Sequence, residues 1–154
     1  MKMINNGVVT EHFKYNEYVR NDMRRKMKLS GKIVYGHVGR FAEVKNHIFL
    51  LDVFEKIARE RSNSVLMLIG AGELKDKIEN LAKEKGIADK VVFVGTTDKV
   101  GDYMQAMDMF LFPSLHEGYP IVAVEAQAAG LPSILADTII KEVAITDLVE
   151  FLPI

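Results

Sequence analysis

The 154-residue sequence predicts an α/β domain of the doubly wound, Rossmann-like kind: a parallel sheet with helices on both faces and strand order 3-2-1-4-5-6. Two observations carry this. Short β-rich apolar runs alternate along the chain with longer segments of helical periodicity. Several of the runs are apolar almost throughout, as strands covered on both faces must be. The 49% hydrophobic content suits a single core of this size.

The first element is a basic amphipathic helix within residues 14–32, where Tyr15, Val19, Met23 and Met27 recur every fourth position. Lys14, Arg20, Arg24, Arg25, Lys26, Lys28 and Lys32 make its polar side strongly positive. Such a helix either docks on the domain with its cations in solvent or meets an anionic membrane surface or a partner domain. After a Ser30-Gly31 break come five strands, Ile33–Val38, Val65–Ile69, Lys90–Val94, Met109–Phe112 and Ser133–Leu135, and a weaker sixth at Leu148–Leu152. Helices are expected at Asn46–Arg61 and Glu73–Lys85, each with one apolar face, at Val100–Ala106, and at Pro120–Ala129. Pro120 suits the first turn of that last helix and Gly130 its exit. No repeat or flexible linker interrupts the pattern. Residues 1–31 are assigned as an interdomain connecting segment plus the basic helix, and 32–154 as the ligand-binding domain, expected to be truncated at its C-terminus.

Bulk properties narrow the partners. With 20 Lys and Arg against 21 Asp and Glu, the net charge of −1 provides no electrostatic basis for nucleic-acid binding. Cysteine is absent, which removes disulfides and thiolate metal sites and fits a reducing cytoplasm. The four histidines, His12, His37, His47 and His116, have no paired metal-ligand spacing. No apolar run is long enough to cross a bilayer, and Met1–Thr10 holds an Asn-Asn-Gly turn instead of an apolar secretory core.

In a doubly wound sheet the first and fourth strands are neighbours, and ligands bind where their outgoing loops diverge. Here those loops are Gly39–Asn46 and Pro113–Pro120, both polar and glycine-bearing. Arg40 and Lys45 set two cations at a helix entrance, a setting for phosphate or diphosphate, although two exposed surface cations read the same way. Backbone donors around Gly118 and Tyr119 approach from the other side. Glu125 interrupts an apolar helix and therefore needs partners; vicinal ribose hydroxyls would serve. The bland alternative is an exposed stripe with Glu125 and Gln127 at its edges. Gly70-Ala71-Gly72 is either a tight turn or a place of close ligand approach.

These residues resemble the group 1 family of retaining GT-B glycosyltransferases, specifically its C-terminal nucleotide-sugar-binding domain. The resemblance rests on Val38-Gly39-Arg40 with Lys45-Asn46, Gly70-Ala71-Gly72-Glu73, Val92-Phe93-Val94-Gly95, and Pro113-Ser114 through Glu117-Gly118-Tyr119-Pro120 to Glu125-Ala126, closing with Gly130-Leu131-Pro132. Ile4-Asn5-Asn6-Gly7-Val8 looks like the family's interdomain segment. The resemblance implies that Arg40 and Lys45 hold the donor diphosphate, Glu117 contacts the transferred sugar, Glu125 binds the ribose and the base lies against Val94-Gly95. Gly39, Gly72, Gly118, Tyr119 and Pro120 would complete the donor site, with His116 a minor candidate.

No Asp-x-Asp motif occurs, so a metal-independent transfer without cofactor is expected, the basic side chains neutralising the leaving diphosphate. The resemblance further implies a preceding acceptor domain, without which the fragment would bind donor but transfer poorly. The setting would be polysaccharide assembly in the cytoplasm, peripherally at the inner membrane face. Two other readings share the fold: a non-catalytic nucleotide-binding module and a sugar-nucleotide epimerase.

Overall fold

A computed structural model describes residues 9–154; the Asn-Asn-Gly turn and the Ile4–Val8 stretch lie outside the described residues. In chain order the elements are α1 (Glu17–Lys26), β1 (Ile33–Val38), α2 (His47–Glu60), β2 (Ser64–Ile69), α3 (Lys75–Glu84), β3 (Val91–Gly95), α4 (Val100–Ala106), β4 (Met109–Phe112), α5 (Ile121–Ala128), β5 (Ser133–Ala136) and β6 (Val149–Leu152). The six strands form one sheet in the order β3-β2-β1-β4-β5-β6. Every pairing is parallel. The doubly wound expectation is met, and the sixth strand is real.

The central strands are largely apolar because each face of the sheet has its own core. On one face Leu50, Leu51 and Phe54 of α2 and Ile78 and Ala82 of α3 close over Leu66, Leu68 and Leu111. On the other, Met104 of α4 and Ala123, Val124 and Ala126 of α5 cover Val34, Met67, Phe110 and Phe112. Each fully buried Leu, Phe or Met here contributes roughly 1.5–3 kcal/mol of transfer free energy. Over β4 to β6 the α2 side is thinly covered, leaving a cavity of about 290 Å³ lined by Tyr35, Val53, Ile57, Met109, Ile134 and Leu152 among others. Its lining carries no charged residue, so it offers nothing to an anionic ligand.

The basic helix is shorter than its periodicity suggested, because Asn16 caps it: the Asn16 side chain accepts from the Val19 N–H, leaving Tyr15 outside. Met23 and Met27 pack on the core, and α1 lies along α4. Its cations are not all solvated. Arg20 donates to Asp108 at 2.5 Å and to the carbonyls of Gln105 and Met107, and Arg24 donates to Asp108 and to the carbonyl of Ala106. Burial opposes ionisation of Asp108, but the Val34 N–H and the two guanidiniums hold its pKa below the usual carboxylate range. Arg25 and Lys26 share Asp22 on the outer side. The positive face read from the sequence is thus partly spent on anchoring the helix.

Candidate functional site

The loops leaving β1 and β4 meet at the switch point, as the topology requires. Leu115 N–H donates to the Val44 carbonyl at 2.9 Å, tying them together by backbone. Lys45 then forms an ion pair with Glu117, both side chains less than one-fifth exposed. The Lys45 ammonium also sits 5.0 Å from the centre of the Phe112 ring. Lys45 closes a 3-10 turn (Glu43–Lys45), and Asn46, in the left-handed conformation at φ 57°, redirects the chain into α2. Two residues expected to touch different parts of one ligand therefore touch each other.

Arg40 lies farther out. Its side chain is exposed and donates from Nε and Nη2 to one oxygen of Glu73, at 3.2 and 3.0 Å. Glu73 follows the Gly70-Ala71-Gly72 turn, and that turn packs directly on the Arg40 loop: Phe41 N–H donates to the Ala71 carbonyl at 3.0 Å. A Cβ at Gly70 would lie 2.1 Å from the Gly39 carbonyl oxygen, and one at Gly72 would lie 2.5 Å from that of Phe41. These glycines admit the neighbouring backbone. Gly39 itself ends β1, where its N–H donates to the Ile69 carbonyl at 2.9 Å. Val94 and Gly95 end β3, and Gly95 accepts from the Gly70 N–H at 2.9 Å.

On the other bank Pro120 is the N-terminal flanking residue of α5, one position outside the first turn expected for it, and no side chain caps the helix there. Gly118 has open space where a Cβ would point, and Tyr119 packs on the core. The approach to the uncapped end of α5 is therefore sterically clear.

Glu125 and Gln127 do not form the exposed stripe that the sequence left open. Gln127 is buried and fully used: its amide donates to the carbonyls of Ala123 and Val143 and its oxygen accepts from Ile145, Thr146 N–H and the Thr146 hydroxyl. Among the described residues Glu125 has no hydrogen-bond or ion-pair partner. Burial alone raises its pKa, with no cation to offset it. It lines a cavity of about 430 Å³ together with Asp98, Lys99, Asp102, His12 and Phe13, a size in the range of small-molecule pockets. The α4 lead-in, with the segment ahead of α1, was not singled out from the sequence.

Beneath Lys45 are two more residues that sequence reasoning passed over. His37 on β1 and His47 on α2 are buried with ring centres 4.8 Å apart, and His47 stacks on Phe41. His37 Nδ1–H donates to the Leu111 carbonyl at 2.8 Å, while His37 Nε2 and both His47 nitrogens lack partners. Burial pushes the His37 pKa down to about 4, against the Leu111 hydrogen bond and helped by the Lys45 charge. For His47, burial, then His37 and Lys45, push it to about 3. Both are neutral near pH 7. The alternating apolar context of His37 was the available signal.

The domain is thus doubly wound, with cations and a glycine-rich turn at its switch point and a half-buried carboxylate, Glu125, lining a cavity of its own. Residues 19–150 match the family of glycosyl transferases group 1, and the chain belongs to that family. It is 37% identical over 142 residues to glycosyltransferase EpsF of Bacillus subtilis, an assignment which that protein's own name marks as provisional, covering 92% of this chain and 37% of that one. Among solved structures it resembles WaaG, a glycosyltransferase of lipopolysaccharide biosynthesis (TM-score 0.85, 23% identity, 96% of this chain and 41% of the other). It also resembles Anabaena HepE, solved with UDP and glucose (TM-score 0.81, 22% identity, 88% of this chain and 38% of the other). The chain thus spans well under half the length of these relatives. Among the described residues no helix is long and apolar enough to cross a membrane.

Proposed function

We propose that this domain binds the nucleotide-sugar donor of a retaining glycosyltransferase, and that transfer requires a preceding acceptor domain of the same protein. The observation that supports this most is the solitary Glu125 carboxylate in its cavity beside the cationic crevice: a desolvated carboxylate without a partner suits a ligand that brings two vicinal hydroxyls. The complex of HepE with UDP and glucose lends the same class of ligand. In this reading Arg40 and Lys45 exchange part of their carboxylate contacts for the diphosphate, with Gly39, Gly72 and the Gly118-Tyr119-Pro120 backbone framing it. Glu117, held by Lys45, contacts the transferred sugar. The base lies toward Val94 and Gly95.

As the bond between the anomeric carbon and the phosphate oxygen breaks, positive charge grows on the sugar and negative charge on the departing diphosphate. Lys45, Arg40 and the uncapped end of α5 stabilise the latter. Two cations supply the neutralisation, so we propose that no divalent ion is needed. The full enzyme would act in polysaccharide assembly, in the cytoplasm and peripherally at the membrane face.

Calorimetry with UDP and GDP tests the donor reading. At least one should bind, and Glu125→Ala should weaken it by about tenfold or more, the scale of one hydrogen bond to a charged group. Binding of both nucleotides that ignores Glu125→Ala would support a module recognising phosphate alone and would remove the ribose role.

A further inference from the structure

We propose that His12 and Phe13, in the segment ahead of α1, form a wall of the nucleoside pocket that Glu125 lines, so that this connecting segment is part of the donor site. The inference rests on reading the Glu125 cavity as the nucleoside pocket. Its lining comes from three separate stretches of chain, residues 12–13, 98–102 and Glu125. Two features fix the first stretch there. The amide of Gln105, buried within α4, donates to the Phe13 carbonyl at 2.9 Å and accepts from Asn16 N–H at 3.0 Å. Gly101 lets the same segment come close: a Cβ there would lie 2.6 Å from the His12 carbonyl oxygen and 3.4 Å from the Phe13 ring.

Docking of α1 does not need these contacts, since Arg20 and Arg24 already tie it to Asp108 and the α4 carbonyls. They hold residues 12–13 at the cavity instead. The charge of the cavity fits a nucleoside and not a phosphate: Asp98, Asp102 and Glu125 face it with Lys99 as the lysine among them. Carboxylates accept from ribose hydroxyls and from the N–H edge of a base, and they repel the diphosphate toward Lys45 and Arg40. Phe13 adds an aromatic surface for the base.

The test compares UDP, GDP and inorganic pyrophosphate on the wild-type chain, Gly101→Ala and Phe13→Leu by calorimetry, with thermal melting of each protein. Gly101→Ala displaces the wall; Phe13→Leu keeps apolar bulk but removes the ring, and carries the test if the first variant does not melt cooperatively. The expected result is about tenfold weaker nucleoside diphosphate binding with pyrophosphate affinity held within about twofold. Unchanged nucleotide binding, or an equal loss for all three ligands, overturns the wall while leaving the Glu125 result intact. A wild-type chain that binds pyrophosphate as well as either nucleotide overturns the wall and the donor reading together.

Discussion

The two compartments of the crevice treat charge in opposite ways. On the β1 and β2 side, each cation has a carboxylate: Lys45 has Glu117 and Arg40 has Glu73. On the α5 side, Glu125 is half-buried and has no partner among the described residues. Paired charges are satisfied without ligand, so they resist deletion of either partner; a lone carboxylate is held by the rest of the fold at its own expense and is free to take a ligand. The pairing also explains how two cations share one crevice without strain. The lone acid marks the place where the folded state is incomplete.

The largest expected effect tests the paired side. Lys45→Met leaves Glu117 desolvated without a counter-charge and should destabilise the chain by roughly 3 kcal/mol, whereas the double change Lys45→Met with Glu117→Met should recover most of it. Urea denaturation of the two proteins measures both. Glu125→Gln should behave differently: its raised pKa means that the ionised form weighs against the folded state at neutral pH, so the variant should be as stable as the parent or more so. Equal destabilisation by Lys45→Met and Glu125→Gln would erase the contrast between the compartments.

Beneath the paired side, His37 and His47 set an acid limit. Their folded pKa values of about 4 and about 3 lie below the ordinary 6.5, so the folded state favours the neutral rings. Stability from this source is complete above pH 6.5 and falls as the pH drops toward 4, because the unfolded chain then binds protons that the folded one refuses. Each histidine contributes a slope approaching about 1.4 kcal/mol per pH unit. His47→Phe, which keeps an aromatic ring against Phe41, should therefore lose about 2 kcal/mol less than the parent between pH 7.5 and pH 5. Denaturant midpoints at the two pH values provide the check.

The fold was legible because its signals are local. The apolar runs of β1 and β4 and the spacing in α4 gave their bounds to the residue, and the loops expected at the switch point do meet there. What the sequence concealed is set by register between distant segments. Glu117 is 72 positions from the Lys45 that pairs with it, and Asp108 is 88 from the Arg20 it anchors. Charge counting placed Arg20 and Arg24 in solvent because no local pattern announces an acid at the start of β4. Gln127 and Glu125 looked alike on an apolar helix; only the loop at 143–146, folded back on α5, separates a satisfied amide from an unsatisfied acid.

The smallest effect belongs to Arg40 and Glu73, and it sharpens the contrast most finely. Both side chains are more than half exposed, so their pairing should contribute little in a double-mutant cycle and should fade with added salt. Glu73 nonetheless occupies the guanidinium that the diphosphate would need. Removing a competitor and a like-charged neighbour should help an anion: Glu73→Gln is expected to tighten pyrophosphate binding by about two- to threefold at low salt with the melting temperature nearly unchanged. The same substitution should lose its benefit in an Arg40→Gln background, since there is then no cation to release. Calorimetry on the four proteins reads this directly. A gain that persists without Arg40 would mean that Glu73 acts only through the general field of the crevice, and the exposed pair would no longer count as a stand-in for the ligand.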